Sequence, residues 1–193
     1  IYQMMPFGVL IPKTKSDLME TINYARETRV PLLARGGGTS QCGQTVNNAI
    51  VIDNSKYLNK VLDFNKEKMT CIVEPGIVLD ELNRFLKPYG LWFPVDVSTS
   101  SRATIGGMAG NNSCGGRSIR YGMMRDNVID IEAILYDGSI YNFGKIKNNH
   151  INSSNSSGNE IIKKLLELAE TNKEETISKF PKVLRRVGGY NID

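Results

Sequence analysis

The sequence predicts a globular domain that mixes helices with strands, and three observations carry that expectation. Hydrophobic residues make up 40% and charged residues 23% of the 193 residues. That composition suits one full domain or two small subdomains. Apolar residues recur at helical spacing in some windows and as short strand-like runs in others. The 18 glycines are bunched, twelve of them between Gly36 and Gly122 in two clusters. Glycine weakens regular structure, so clustering it calls for difficult turns or for something large lying against bare backbone.

The elements follow in order. Residues 14–28 read as a helix, capped by Thr14 or Ser16, with Leu18, Ile22 and Ala25 or Arg26 at helical spacing. Val30–Ala34 is a short apolar run ending at Gly36 and reads as a buried strand, set at a sheet edge by Pro31. Ala49–Asp53 is a second strand. Lys60–Phe64 and Met69–Val73 are separated by four polar or charged residues, which predicts a hairpin. Pro75-Gly76 stops it. Leu79, Leu82, Phe85 and Leu86 give a short amphipathic helix, ended by Pro88 and Gly90. Leu91-Trp92-Phe93 reads as brief and buried. Residues 94–122 have almost no periodicity, and a structureless stretch this long in a compact domain is usually functional. Val128–Leu135 and Ser139–Phe143 flank Asp137-Gly138, a good hairpin signal. Residues 147–159 are Asn and Ser with few apolar groups and read as a loop. Ile161, Ile162, Leu165, Leu166, Leu168 and Ala169 then form one helix face, and a second short helix covers 174–180. There is no internal repeat.

Several function classes are excluded or disfavoured. The net charge is +4 with no basic block, well short of a nucleic-acid signature. No apolar run approaches the ~20 residues that a membrane span needs. The start, Ile1-Tyr2-Gln3-Met4, has neither a basic segment nor a cleavage site. Cys42, Cys71 and Cys114 are odd in number and lack C-x-x-C spacing, which disfavours a disulfide framework or zinc site and makes a reducing compartment the default. With His150 as the one histidine, multi-histidine metal sites are ruled out.

The first glycine cluster is Arg35-Gly36-Gly37-Gly38-Thr39-Ser40-Gln41-Cys42-Gly43-Gln44, directly after a strand. Three consecutive glycines let backbone N–H groups converge without Cβ obstruction, and such a nest binds anions, with Thr39 and Ser40 adding hydroxyl donors. A phosphate or pyrophosphate is the natural partner. No G-K-[ST] follows, so it is not a Walker loop, and Gly43 leads into a strand rather than a helix. A plain surface turn would use the same glycines; Arg35 and the Thr-Ser pair favour a ligand. The second cluster runs from Pro94 to Gly116 and is full of Ser, Thr, Gly and Asn. Its small residues let backbone approach a flat ligand, and its hydroxyls and amides supply donors and acceptors for a ring edge. A large polar cofactor would satisfy much of this backbone.

Pro31-Leu32, Arg35–Ser40 with Gly43-Gln44, Val73 with Pro75-Gly76, Ala103–Gly107, Tyr121-Gly122 and Asp137-Gly138 occur in that order. This set resembles the FAD-binding domain of FAD-linked oxidases of the para-cresol methylhydroxylase and vanillyl-alcohol oxidase type, a group that includes the flavin-carrying component of glycolate oxidase and the D-lactate dehydrogenases. The resemblance covers roughly residues 5–144. Gly107–Gly115 and the tail Phe180–Asp193 are similar to the large bacterial dehydrogenases in which a flavin module precedes an iron–sulfur region.

The resemblance implies an α+β fold of two α/β subdomains with FAD between them: 1–55 carrying the pyrophosphate loop, 56–144 the second, and 145–193 a loop and helical extension leading to a substrate domain. It implies that Arg35, Gly36, Gly37, Gly38, Thr39, Ser40, Gly43 and Gln44 hold the pyrophosphate. Pro75 would line the adenosine side. Pro94, Asp96, Ser101, Thr104, Gly106, Gly107, Asn111 and Gly116 would run along the ribityl and isoalloxazine portion. Some relatives attach FAD through a His in the first loop; Thr39 and Gln41 stand there instead, so non-covalent FAD is expected. No catalytic residue or metal ligand is expected in this segment, because the base and the cation for a 2-hydroxy acid usually come from the substrate half. Partners would be FAD, that substrate domain and an iron–sulfur region, with no nucleic acid and no membrane span. The location expected is cytoplasmic, or peripheral to the inner membrane in a full-length protein.

The implied activity is oxidation of a D-2-hydroxy acid by hydride transfer to FAD. Alternatives are an oxidase of another alcohol or sugar, or a truncated non-catalytic nucleotide-binding domain. His150 reads as a solvated surface residue, Cys71 as core, and Cys114 as a small buried side chain against the flavin. Cys42 stands in the phosphate loop, among its converging amides. Arg117, Arg120 and Arg125 read either as a cationic rim or as solvated surface. Arg185-Arg186 read as a polar face beside the terminal turn.

Overall fold

The computed structural model describes residues 3–144, 156–186 and 190–192. The N-terminal part is a three-stranded parallel sheet. Strand β1 (Gly8–Leu10) leads into helix α1 (Lys15–Thr28), then β2 (Leu32–Arg35) and β3 (Ile50–Asp53), in the order β1-β3-β2. Val9 and Leu33 both register with Val51. Thr14 caps α1: its side chain accepts from the Asp17 amide at 3.2 Å, and the Asp17 carboxylate accepts the Thr14 amide at 2.9 Å. This capping box satisfies two amides that a helix start leaves open. Ile22 and Ala25 face inward, and β2 stands at an edge as Pro31 predicts. β1 has no counterpart in the sequence reading.

Two antiparallel hairpins follow, β4 (Val61–Asn65) with β5 (Thr70–Val73), and β6 (Asp130–Ile134) with β7 (Ile140–Gly144). Gly138 turns the second at φ 82°, a conformation that glycine adopts without steric cost. Between the hairpins lies α2 (Leu79–Leu86), extended by a short 3₁₀ turn over 87–89. Its Leu79, Leu82 and Leu86 join Ile77, Val95, Ala103, Ile105, Met108 and Met124 in the main core. Two helices complete the described residues, α6 (Ser156–Thr171) and α7 (Lys173–Lys179). α6 begins inside the segment read as a loop; the rest of that loop, with His150, lies outside the described residues.

The stretch 94–122 is not structureless. It holds α3 (Ile105–Gly110) and α4 (Ser118–Tyr121), with α5 (Met124–Asn127) just beyond. Their sequences hide them, because helices of four to six residues span fewer than two helical periods, too few for a pattern to show. Tertiary contacts hold α3 despite its three glycines: Ile105 and Met108, one turn apart, are both buried. Trp92 differs from expectation as well. It is 40% exposed, and its ring meets Tyr121 edge-on at 5.3 Å while the Arg117 guanidinium stacks on it at 5.0 Å.

Candidate functional site

The motif segments from three parts of the chain converge. The loop after β2 packs directly on residues 102–104. A Cβ on Gly36 would lie 2.0 Å from Thr104 Oγ1, and one on Gly37 would lie 2.1 Å from the Arg102 carbonyl oxygen. The other side of 102–106 is tied to the segment entering α2. Leu79 N donates to Ala103 O at 3.0 Å, Ile105 N to Ile77 O at 2.9 Å, and Gly106 N to Pro75 O at 2.8 Å. Gly76 sits so close to Asn54 that a Cβ would lie 2.0 Å from its carbonyl oxygen, and Asn54 N donates to Arg35 O at 3.1 Å. Arg35–Gly38, Pro75-Gly76 and Arg102–Gly106 thus form one contiguous floor. Gly36 and Gly37 are glycine first because the second loop leaves no room for a side chain.

Two features of this floor are unfinished. Among the described residues, the backbone N–H groups from Gly36 to Ser40 donate to no protein acceptor. Gly38 turns through φ 66°, with the Arg35 side chain lying over it. Successive free amides around such a turn are a nest for an anion. Thr104 is 1% exposed, yet its hydroxyl has no partner, and the buried Oδ1 of Asn54 has none either. A buried polar atom without a partner costs about 1–3 kcal/mol. Glycine amides for phosphate oxygens and buried acceptors and donors for a ribose or ribityl chain fit a dinucleotide cofactor.

The remaining expected contacts divide. Ser40 and Gln44 are bonded to each other, hydroxyl to Oε1 at 2.6 Å, with Ser40 exposed. Thr39 and Gly43 are half-buried, Gly43 at φ 85°. Pro94 is half-buried, while Ser101 and Gly107 are exposed. Asp96 Oδ1 accepts the Arg117 amide at 2.9 Å, and Gly115 packs so tightly on Asp96 that a Cβ would lie 1.3 Å from its carbonyl oxygen. Asp96 therefore shapes the turn that carries Gly116. Asn111 is exposed and turned toward Ser113, Nδ2 to Oγ at 3.2 Å. Its neighbour Asn112 is the buried one. It adopts φ 45°, accepts the Arg125 amide at 3.0 Å and leaves Nδ2 without a partner. The sequence offers two adjacent asparagines and no signal to choose between them.

Cys42 is exposed. Cys71 packs against the core, and burial pushes its thiol pKa up. Cys114 is half-buried. Arg120 stacks on Tyr121 at 5.3 Å and Arg125 Nη1 donates to Asn191 Oδ1 at 3.0 Å, so both are engaged rather than merely solvated. Sequence reasoning does not find the role of Arg185, whose Nη1 donates to the Gly115 carbonyl at 2.6 Å. A groove of about 630 Å³ beside β1 and α1 shares no residue with these loops. Among the described residues, no cluster of three or more His, Cys, Asp or Glu could hold a metal ion, and no helix is long and apolar enough to cross a membrane.

A family profile described as FAD binding domain matches residues 6–144. The chain belongs to this family. The FAD-binding domain is 34% identical over 198 aligned positions to D-2-hydroxyglutarate dehydrogenase of Pantoea ananatis, covering 100% of this chain and 19% of that protein. It is 35% identical over 145 positions to glycolate oxidase subunit GlcD of Bacillus subtilis, covering 74% of this chain and 31% of that one. Among solved structures it is similar to the carbohydrate oxidase of Microdochium nivale, with a TM-score of 0.65 at 20% identity, covering 72% of this chain and 29% of that one. That last likeness shows the shared α+β fold. The chain spans 19% of the length of the first D-2-hydroxyglutarate dehydrogenases it matches. FAD is the family's cofactor.

Proposed function

We propose that this domain holds FAD for an oxidoreductase acting on a D-2-hydroxy acid. The observation that carries the site is the run of free amides from Gly36 to Ser40 beside the unpartnered Thr104 hydroxyl. The pyrophosphate lies on Gly36–Ser40 with Arg35, Gly43 and Gln44 around it, and Pro75 flanks the adenosine. Pro94, Asp96, Ser101, Thr104, Gly106, Gly107, Asn111 and Gly116 follow the ribityl and ring portion. Bound FAD supplies a ring that accepts a hydride from the substrate carbon. This chain's residues bind and orient it; the base and the carboxylate-binding cation come from outside residues 1–193. The similarity to D-2-hydroxyglutarate dehydrogenases and to a glycolate oxidase component supports the substrate class.

The reading extends to a division at 55/56 and 144/145, to non-covalent attachment, and to a bacterial, cytoplasmic protein with a substrate domain and an iron–sulfur region as partners. Three free cysteines support a reducing compartment. The test begins with the purified chain, which should take up added FAD as a yellow complex and release all of it on acid precipitation. A folded, colourless chain that ignores FAD would sink the cofactor site, and flavin remaining on the denatured polypeptide would sink the non-covalent part. Bleaching of the flavin by D-2-hydroxyglutarate in a full-length relative carrying this domain tests the substrate class. Bleaching only by an alcohol or a sugar would overturn it.

A further inference from the structure

We propose that Arg185 is a positioning residue for the cofactor loop, through which the segment after α7 sets the shape of the Gly115–Ser118 turn. The inference rests on the reading that FAD runs along this loop. The turn is fastened from inside by short-range bonds. Gly115 N donates to Ser118 Oγ at 3.0 Å, Ser118 N to Gly115 O at 3.2 Å, and Arg117 N to Asp96 Oδ1 at 2.9 Å. Gly115 is also wedged onto Asp96, where no side chain would fit. Each of these ties lies within 94–118, and the Arg117 guanidinium adds its stack on Trp92.

Arg185 adds a tie from a distant part of the chain. Its Nη1 reaches the same Gly115 carbonyl at 2.6 Å, across a separation of 70 residues. A carbonyl has two lone pairs, and here one takes the local Ser118 amide and the other a cationic donor. A charged donor makes a bond about twice as strong as a neutral one. The tail is held at one further point, where Asn191 accepts from Arg125 at the start of α5. Within the tail, Arg186 stacks over Phe180 at 4.3 Å. The adjacent Gly116 stands on the loop proposed to follow the ring portion of FAD. A turn fixed before the ligand arrives loses less entropy on binding, and that gain appears as affinity.

The test compares the 193-residue chain with R185M and R185K by two readouts. The first is amide hydrogen exchange at Gly115, Arg117 and Ser118 without FAD. The second is FAD affinity from flavin fluorescence. R185M should speed exchange at these amides and weaken FAD about tenfold, the loss expected for one charge-assisted hydrogen bond. R185K keeps a cationic donor and should restore most of both, with similar thermal midpoints for all three. Unchanged exchange in R185M would overturn the clamp whatever FAD does. Faster exchange with unchanged affinity would overturn its link to the cofactor. A wild-type chain that binds no FAD would defeat the cofactor reading and the affinity half of this inference, while exchange would still score the clamp.

Discussion

Thr104 carries the sharpest test of the proposed cofactor site. Its hydroxyl is buried against Gly36 without a partner. Removing it should relieve the free chain and harm the complex. T104A should therefore lose FAD affinity about tenfold relative to T104S, which keeps the hydroxyl. Without FAD, its thermal midpoint should equal or exceed that of T104S. Equal affinities in the two variants would show that the hydroxyl does not meet the cofactor. Gly37 gives the opposite case, a residue kept for the fold. A Cβ there meets backbone, not a movable side chain, so G37A should cost about 2 kcal/mol through forced displacement of one loop, read as a lower urea midpoint. At this scale the sequence is legible where chemistry repeats: the glycine loops contain the residues that converge. It is illegible where a contact joins distant segments. Nothing around Arg185 or Asn54 marks either as touching these loops, because their partners are set by the tertiary fold.

Among the elements, the long ones carry their own signals. Helix α1 is readable from its cap and apolar spacing, and the Thr14–Asp17 box supplies a pH dependence. The amides of Lys13 and Thr14 hold the Asp17 carboxyl below the usual carboxylate range. A carboxylate whose folded pKa is depressed stabilises the fold above its unfolded pKa and loses that contribution as pH falls through the folded value. Between neutral pH and about pH 3, the midpoint of the wild type should therefore fall further than that of D17N. Asp137 and Glu160 are depressed in the same sense, so D17N should shrink the acid sensitivity without abolishing it. An identical slope in both proteins would remove the box from the account. The elements that stay hidden in the sequence are the short ones. β1 has three residues between Pro6 and Pro12, and α3 is half glycine. Propensity and period need length to speak, and both segments are held by pairing and burial supplied from elsewhere.

On the scale of the whole molecule, part of the exposed surface is apolar and patterned. Met5, Phe7, Val9 and Ile11 alternate along the β1 segment and are 82%, 68%, 60% and 41% exposed. An alternating strand ordinarily turns such residues inward, and here Gly8 and Leu10 hold the less exposed positions. The groove beside them is lined by Phe7, Val9 and Tyr24. An apolar row this continuous should bind a hydrophobic dye such as anilinonaphthalene sulfonate. Placing lysine at two of its positions, F7K with V9K, should cut the dye fluorescence severalfold. It should leave FAD affinity unchanged, because the groove has no residue in common with the glycine loops. The β1 backbone would still pair with β3, since the replaced side chains are 68% and 60% exposed. Undiminished dye binding would place the apolar surface elsewhere, on α6 or after α7. A parallel loss of FAD would show that the edge of the first sheet and the cofactor floor are one cooperative unit.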